Sequence, residues 1–173
     1  MRNVGVLGAG TMGAQIAAHL ANAGVPVVLL DIDPKVAKEG LDRARKLKPD
    51  PFFTPLTHTL ITTGGFDTDL PKIKDCDWVI EAVVERLDIK RDLLARVEAA
   101  IGPHTIVSSN TSGIPITLIA EGRSERLAIR GPGLAWTYRD LQDKADRIAH
   151  VLVKDMGLVP GNRVLLRAPN NPM

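Results

Sequence analysis

Apolar and polar positions repeat with two different periods along the first 110 residues, and the switches between them predict the elements. Residues 3–7 are a short apolar run of strand length, residues 11–23 place alanine and isoleucine at helical spacing, and residues 26–30 return to a continuous apolar run. Strand, helix and strand thus follow one another within about thirty residues. Residues 35–47 carry Val36, Leu41 and Ala44 among charges, the pattern of an amphipathic helix, and Pro49 and Pro51 close it. After a loop come a short strand over 60–62, a stronger one over 77–83, a helix over 89–101 and a strand over 105–108. The last helix places Leu93, Leu94, Val97 and Ile101 on one face. Alternation of this kind predicts an α/β fold, an open and mainly parallel sheet covered on both faces, with right-handed crossovers.

After Arg126 the pattern changes. Gly131-Pro-Gly133 interrupts the chain, and residues 138–156 then form a helix with Leu141, Ala145, Ile148, Leu152 and Met156 on one side. Asp143, Lys144, Asp146 and Arg147 face the other way, Gly157 stops the helix, and residues 163–168 read as a strand. The expected organisation is one domain over 1–126, truncated at its sheet edge, and a short helix–strand appendage over 127–173 that is not a complete domain. A strand at 164–167 is expected to pair with that open edge.

Composition narrows the function classes. Apolar residues are 45% and charged residues 24% of the 173, the balance of a globular chain with a real core. The net charge of +2 is interspersed and aromatics are 3%, so neither a basic stripe nor a stacking platform points to nucleic acid. The single cysteine, Cys76, excludes an internal disulfide and a CxxC metal or redox pair. No apolar run approaches the ~20 residues of a membrane span, and no signal-peptide core precedes the first glycines. A cytoplasmic protein with neither a metal site nor a membrane partner is the expectation.

The chemistry begins at Gly8-Ala-Gly10-Thr11-Met12-Gly13, which fits GxGxxG between a strand and an alanine-rich helix, with Asp31 closing the second strand. The spacing predicts a Rossmann-type, doubly wound domain. In that reading Gly8 makes the tight turn, Gly10 leaves room for a pyrophosphate, and Gly13 lets the helix pack close to the sheet. The helix N-terminus at Thr11 and Met12 offers free N–H groups to phosphates. Asp31 would accept hydrogen bonds from ribose hydroxyls and repel a 2′-phosphate, and no arginine stands beside it in the chain, so the expected cofactor is NAD.

Three further features follow in order: Glu81-Ala-Val-Val-Glu85, Lys90, and Ser109-Asn-Thr-Ser112. With the glycine turn and Asp31 they make residues 1 to about 126 resemble the N-terminal NAD-binding domain of 3-hydroxyacyl-CoA dehydrogenases, enzymes of fatty-acid β-oxidation. The resemblance implies oxidation of (3S)-3-hydroxyacyl-CoA to 3-ketoacyl-CoA. It implies that Glu85 and Lys90 lie near the nicotinamide, that Ser112 is the active-site hydroxyl touching the substrate oxygen, and that Asn110 belongs to the same loop. The family's general base is a histidine in a Gly-x-His-Phe-Phe-Asn-Pro segment. Residues 128–136 here read Ala-Ile-Arg-Gly-Pro-Gly-Leu-Ala-Trp, and His19, His58, His104 and His150 stand in other contexts. The helical domain that carries the family's dimer interface has no counterpart, which leaves a monomer open. A non-catalytic NAD-binding module, or a chimeric remnant, is the competing expectation.

From Gly133 onward the chain resembles the beginning of AMP-forming acyl-CoA synthetases, through Thr137, Tyr138, Leu141, Gly157, Gly161 and Val164. That family's phosphate-binding loop has no counterpart here, so adenylation is not expected.

Overall fold

The computed structural model describes residues 1–119, 122, 124–131, 134–159 and 161. They fall into two compact units, the first Met1–Ile114 and the second beginning at Pro115.

In the first unit, strands β1 (Val4–Leu7), β2 (Val27–Asp31), β3 (Ile61–Gly65), β4 (Trp78–Glu81) and β5 (Ile106–Ser109) make one sheet. Its order is β3-β2-β1-β4-β5, and all pairings are parallel. Helices α1 (Thr11–Asn22), α2 (Pro34–Ala44), the short α3 (Phe66–Asp69) and α4 (Leu87–Ala100) connect the strands. The truncated Rossmann-type, doubly wound sheet is therefore present, with β1 at its centre.

Alternation along the strands divides the core between the two faces. Val4, Val6, Val27, Leu29 and Ile80 pack with Ala17 and Ala21 of α1 and Leu41 of α2. Leu7, Leu30 and Val79 point the other way, toward Ile73, Leu93 and Val97. Leu7, Leu29 and Leu30 are fully enclosed, each contributing about 1.5–3 kcal/mol. Asp33 starts α2 by accepting the Lys35 N–H at 2.7 Å, with Pro34 in the first turn.

Two strand ends differ from the sequence reading for clear physical reasons. Strand β3 runs on to Gly65 because Gly64 is a packing position rather than a breaker: a β-carbon there would lie 2.6 Å from Asp69 Cβ. Strand β4 ends at Glu81, where the Val83 N–H turns back onto the Glu81 carboxylate at 2.7 Å. The loop after α2 is pinned by Asn22, whose side chain donates to Pro51 O at 2.7 Å and accepts from Phe53 N at 3.0 Å.

The second unit begins at Pro115, ahead of the compositional change at 126. It holds the short helix α5 (Ile116–Ile119), antiparallel strands β6 (Leu127–Gly131) and β7 (Leu134–Thr137), and α6 (Tyr138–His150), continued by a π-helical turn over Val151–Asp155. Thr137 and Asp140 close a capping box at the start of α6. The strand pair takes the place of the interruption read at Gly131-Pro-Gly133. The strand expected over 163–168, and its pairing with the sheet edge, lie outside the described residues.

A β-carbon at Gly40 would sit 2.1 Å from the Ala9 carbonyl oxygen, whereas one at Gly10 would meet nothing within 4 Å. Gly40→Ala is expected to cost about 1–3 kcal/mol in urea denaturation, as overpacking does. Gly10→Ala should stay within about 0.5 kcal/mol of the parent. Equal losses would show that crowding at Ala9 is not what selects glycine at position 40.

Candidate functional site

The site grows out of the carboxyl ends of β1, β2, β4 and β5, where an open parallel sheet receives ligands. Gly8 turns with φ of 100°, and a β-carbon there would lie 2.6 Å from the Ala82 carbonyl oxygen. Both facts demand glycine. Gly13 returns the helix so close that a β-carbon would stand 1.8 Å from the Gly8 carbonyl oxygen. Gly10 is exposed, caps α1 without any side-chain bond and faces open space. Thr11 and Met12 stand exposed at the same helix mouth. The first N–H groups of α1 thus point to a vacant surface on which no side chain intrudes, a good seat for an anionic pyrophosphate.

Beside this turn opens a cleft of about 650 Å³, lined among others by Gly8, Gly10, Asp31, Ile32, Phe66 and Arg96. Asp31 Oδ2 accepts the Ala9 N–H at 2.6 Å, and Oδ1 accepts the Ile32 N–H at 2.7 Å. Each oxygen keeps a lone pair for a ligand hydroxyl. No arginine neighbours Asp31 in the chain, yet Arg96 lines the same cleft in space. Its guanidinium is committed to Asp67 Oδ1 at 2.8 Å and Phe66 O at 2.9 Å. Asp88 and Asp92 line the cleft as well, Asp88 in a two-pronged pair with Arg86.

The second half of the site joins the ends of β4 and β5. Glu85 Oε1 accepts three donors from one loop: Thr111 Oγ1 at 2.7 Å, Ser112 N at 2.8 Å and Gly113 N at 2.9 Å. Its other oxygen faces the Lys90 ammonium at 3.2 Å. Lys90 is wholly buried, and its nearer partner is Glu81 Oε1 at 2.7 Å, also wholly buried. The structure therefore brings Glu85, Ser112 and Asn110 together at exposed strand ends and places Lys90 beneath them, enclosed by carboxylates.

Glu81, Ser109, Thr111 and Arg96 carry parts of this geometry that sequence reasoning did not assign. Glu81 ends an apolar strand just as Asp31 does, and only its depth separates the two. His19 borders a different, apolar cleft with Met12 and Trp78, and His58 meets Phe52 edge-on. His104 precedes β5, and His150 ends α6. Among the described residues no group of three or more His, Cys, Asp and Glu side chains could hold a metal ion. Nor is any helix there long and apolar enough to cross a membrane.

Comparison with known proteins places the chain in a family. Residues 3–130 match the family model for the NAD binding domain of 3-hydroxyacyl-CoA dehydrogenase. A probable 3-hydroxyacyl-CoA dehydrogenase of Deinococcus radiodurans is 49% identical over 132 residues, 72% of this chain and 38% of that protein. One of Bacillus subtilis is 39% identical over 146 residues, 72% of this chain and 18% of its own length. Among solved structures, (S)-3-hydroxybutyryl-CoA dehydrogenase from Ralstonia eutropha superposes with a TM-score of 0.59 at 32% identity, covering 91% of this chain and 61% of that one. The chain thus spans well under half the length of these two curated relatives.

The Gly113 N–H, the Thr111 hydroxyl and the Ser112 N–H, in that order, with Lys90 behind them, pull the Glu85 carboxyl down from 4.5 to about 2. Because the folded value is the lower one, the carboxylate's contribution to stability is complete above pH 4.5 and is lost as pH falls through about 2. An NMR titration should give the Glu85 carboxyl carbon a midpoint near 2. The Ser112 and Gly113 amide signals should move with it, and Glu85→Gln should abolish that movement. A midpoint near 4.5 would contradict the clamp.

Proposed function

The chain belongs to the 3-hydroxyacyl-CoA dehydrogenase family through its NAD-binding domain, and on that premise we propose that it serves NAD-dependent interconversion of (3S)-3-hydroxyacyl-CoA and 3-ketoacyl-CoA. The observation that carries this reading is the joining of two half-sites along one row of strand ends. One has the glycine turn and Asp31, the other the Glu85-clamped loop with Ser112.

In this reading the backbone N–H groups at Thr11 and Met12 hold the pyrophosphate while Asp31 takes the adenosine ribose. Asp31 and Asp92 add negative charge to the same cleft, and Arg96 is held by Asp67, so a 2′-phosphate is disfavoured. When bound, NAD accepts the hydride from C3 of the substrate. Ser112 orients the substrate oxygen by a hydrogen bond, and Asn110 shapes the same loop. The hydroxyl proton leaves at the same time and needs an acceptor. The acyl-CoA substrate class is carried over from the family, and a reducing cytoplasm is inferred from the single cysteine, Cys76.

A second reading, an NAD-binding module without turnover of its own, is favoured by the absence of histidine from residues 128–136. Neither reading draws on the segment from Gly133 onward.

One experiment addresses both. NADH binding, and NADH oxidation with acetoacetyl-CoA, would be measured on the purified chain, on Asp31→Ala and on Ser112→Ala. Binding weakened by about tenfold or more in Asp31→Ala, the scale of one lost charge-assisted hydrogen bond, with little turnover in any form, is the expected result. Rapid turnover that Ser112→Ala abolishes would show that the chain supplies its own proton acceptor. No binding of NADH to the parent chain would overturn the cofactor assignment.

A further inference from the structure

The expectation that Lys90 stands among cofactor-contacting residues meets a side chain with no exposed surface. Its surroundings give it a different task. Glu81, the last residue of β4, uses every acceptor it has. Oε1 takes the Val83 N–H and the Lys90 ammonium, each at 2.7 Å, Oε2 takes the Ser109 hydroxyl, and its main-chain oxygen takes the Asn110 N–H at 2.7 Å. Lys90 in turn spans Glu81 and Glu85 and approaches Val83 O at 3.5 Å.

From these contacts we propose that Glu81 is a positioning residue of this site: through Lys90 it fixes Glu85, and through Glu85 and Ser109 it sets the loop that carries Asn110 and Ser112. The loop is then held at both ends by one buried carboxylate, at its base through Ser109 and at its crest through the ion pair. Charge is required for this, not merely filling. Apolar side chains of similar volume can replace a buried ion pair without loss of stability. Here they would strip Glu85 of its cation and leave the Ser109 hydroxyl and Val83 N–H without acceptors. The Glu85 side chain is 42% exposed, so burial does not hold it. Among the described residues, Lys90 on one side and the loop donors on the other hold it.

The proposal rests on the cofactor reading for one point alone, that the loop receives the nicotinamide end. Two variants test it. Glu81→Gln removes the charge and leaves Lys90 with Glu85 as its one carboxylate; Ser109→Ala removes only the hydroxyl's bond. Site-resolved amide exchange would be followed by NMR, and affinities for NADH and ADP-ribose by calorimetry. In Glu81→Gln, exchange at Ser112 and Gly113 should quicken about tenfold, the effect of losing about one charge-assisted hydrogen bond. NADH should weaken by a similar factor while ADP-ribose, which lacks the nicotinamide, binds as before. Ser109→Ala should move both readouts the same way by less, and it carries the test if Glu81→Gln does not fold. Unchanged exchange at both amides, or equal weakening of NADH and ADP-ribose in a folded variant, would overturn the proposal. Failure of the parent chain to bind either nucleotide would instead remove the cofactor reading, with the exchange rates still deciding whether Glu81 governs the loop.

Discussion

The carbonyl of Gly8 lies where a β-carbon of Gly13 would have to be, so the first helix approaches the sheet to backbone distance, and much else depends on that approach. It fixes the small side chains of α1, since Ala14, Ala17, Ala18 and Ala21 are the residues buried behind Gly13. A bulkier residue on that line would lift the helix and carry its free N–H groups away from the strand ends. The same crowding reaches α2, whose Gly40 rides on Ala9, and so sets how far β2 can stand from the turn. Asp31, at the end of β2, then falls within 2.6 Å of the Ala9 N–H. Packing of small residues thus places both the first N–H groups of α1 and the Asp31 carboxylate, without any side chain having to reach.

On the other side of β1 the organising force is electrostatic. Enclosing Glu81 and Lys90 costs desolvation that their attraction only roughly offsets, and removing one partner of such a pair costs about 3–5 kcal/mol. A pair of this kind is weak as a source of stability and strong as a constraint, because its geometry cannot drift without exposing a buried charge. It ties the carboxyl ends of β4 and β5 and the first turn of α4 at one point. The adenosine half of the site is therefore specified by volume, and the half around Ser112 by charge.

That difference decides what could be read from the sequence. The strand–helix–strand opening was legible because its signals are local: glycines at fixed spacing, an alanine stripe and two apolar runs. The parallel order followed from alternation of elements. Glu81 was not legible in its role, since an acid closing an apolar strand looks the same whether it faces a cleft, as Asp31 does, or is sealed beneath one. What seals it is a lysine nine residues on and a serine from another strand, a coincidence of three elements that no local pattern encodes. Arg96 is a similar case, brought to the Asp31 cleft by the packing of α4. In the second unit, Gly131-Pro-Gly133 was read as a break between domains, and that obscured the short antiparallel strands on either side of it.

The clamp also constrains which residue can take part in proton transfer. Glu85 is the carboxylate nearest the Ser112 loop, and with histidine absent from that loop it is the obvious substitute base. Its environment argues against it. Three donors converge on one of its oxygens and an ammonium faces the other, and a carboxyl held near 2 is a poor proton acceptor at neutral pH. Protonating it would mean giving up the contacts that shape the loop presenting Ser112. The features that make Glu85 an effective clamp are the ones that disqualify it as a base.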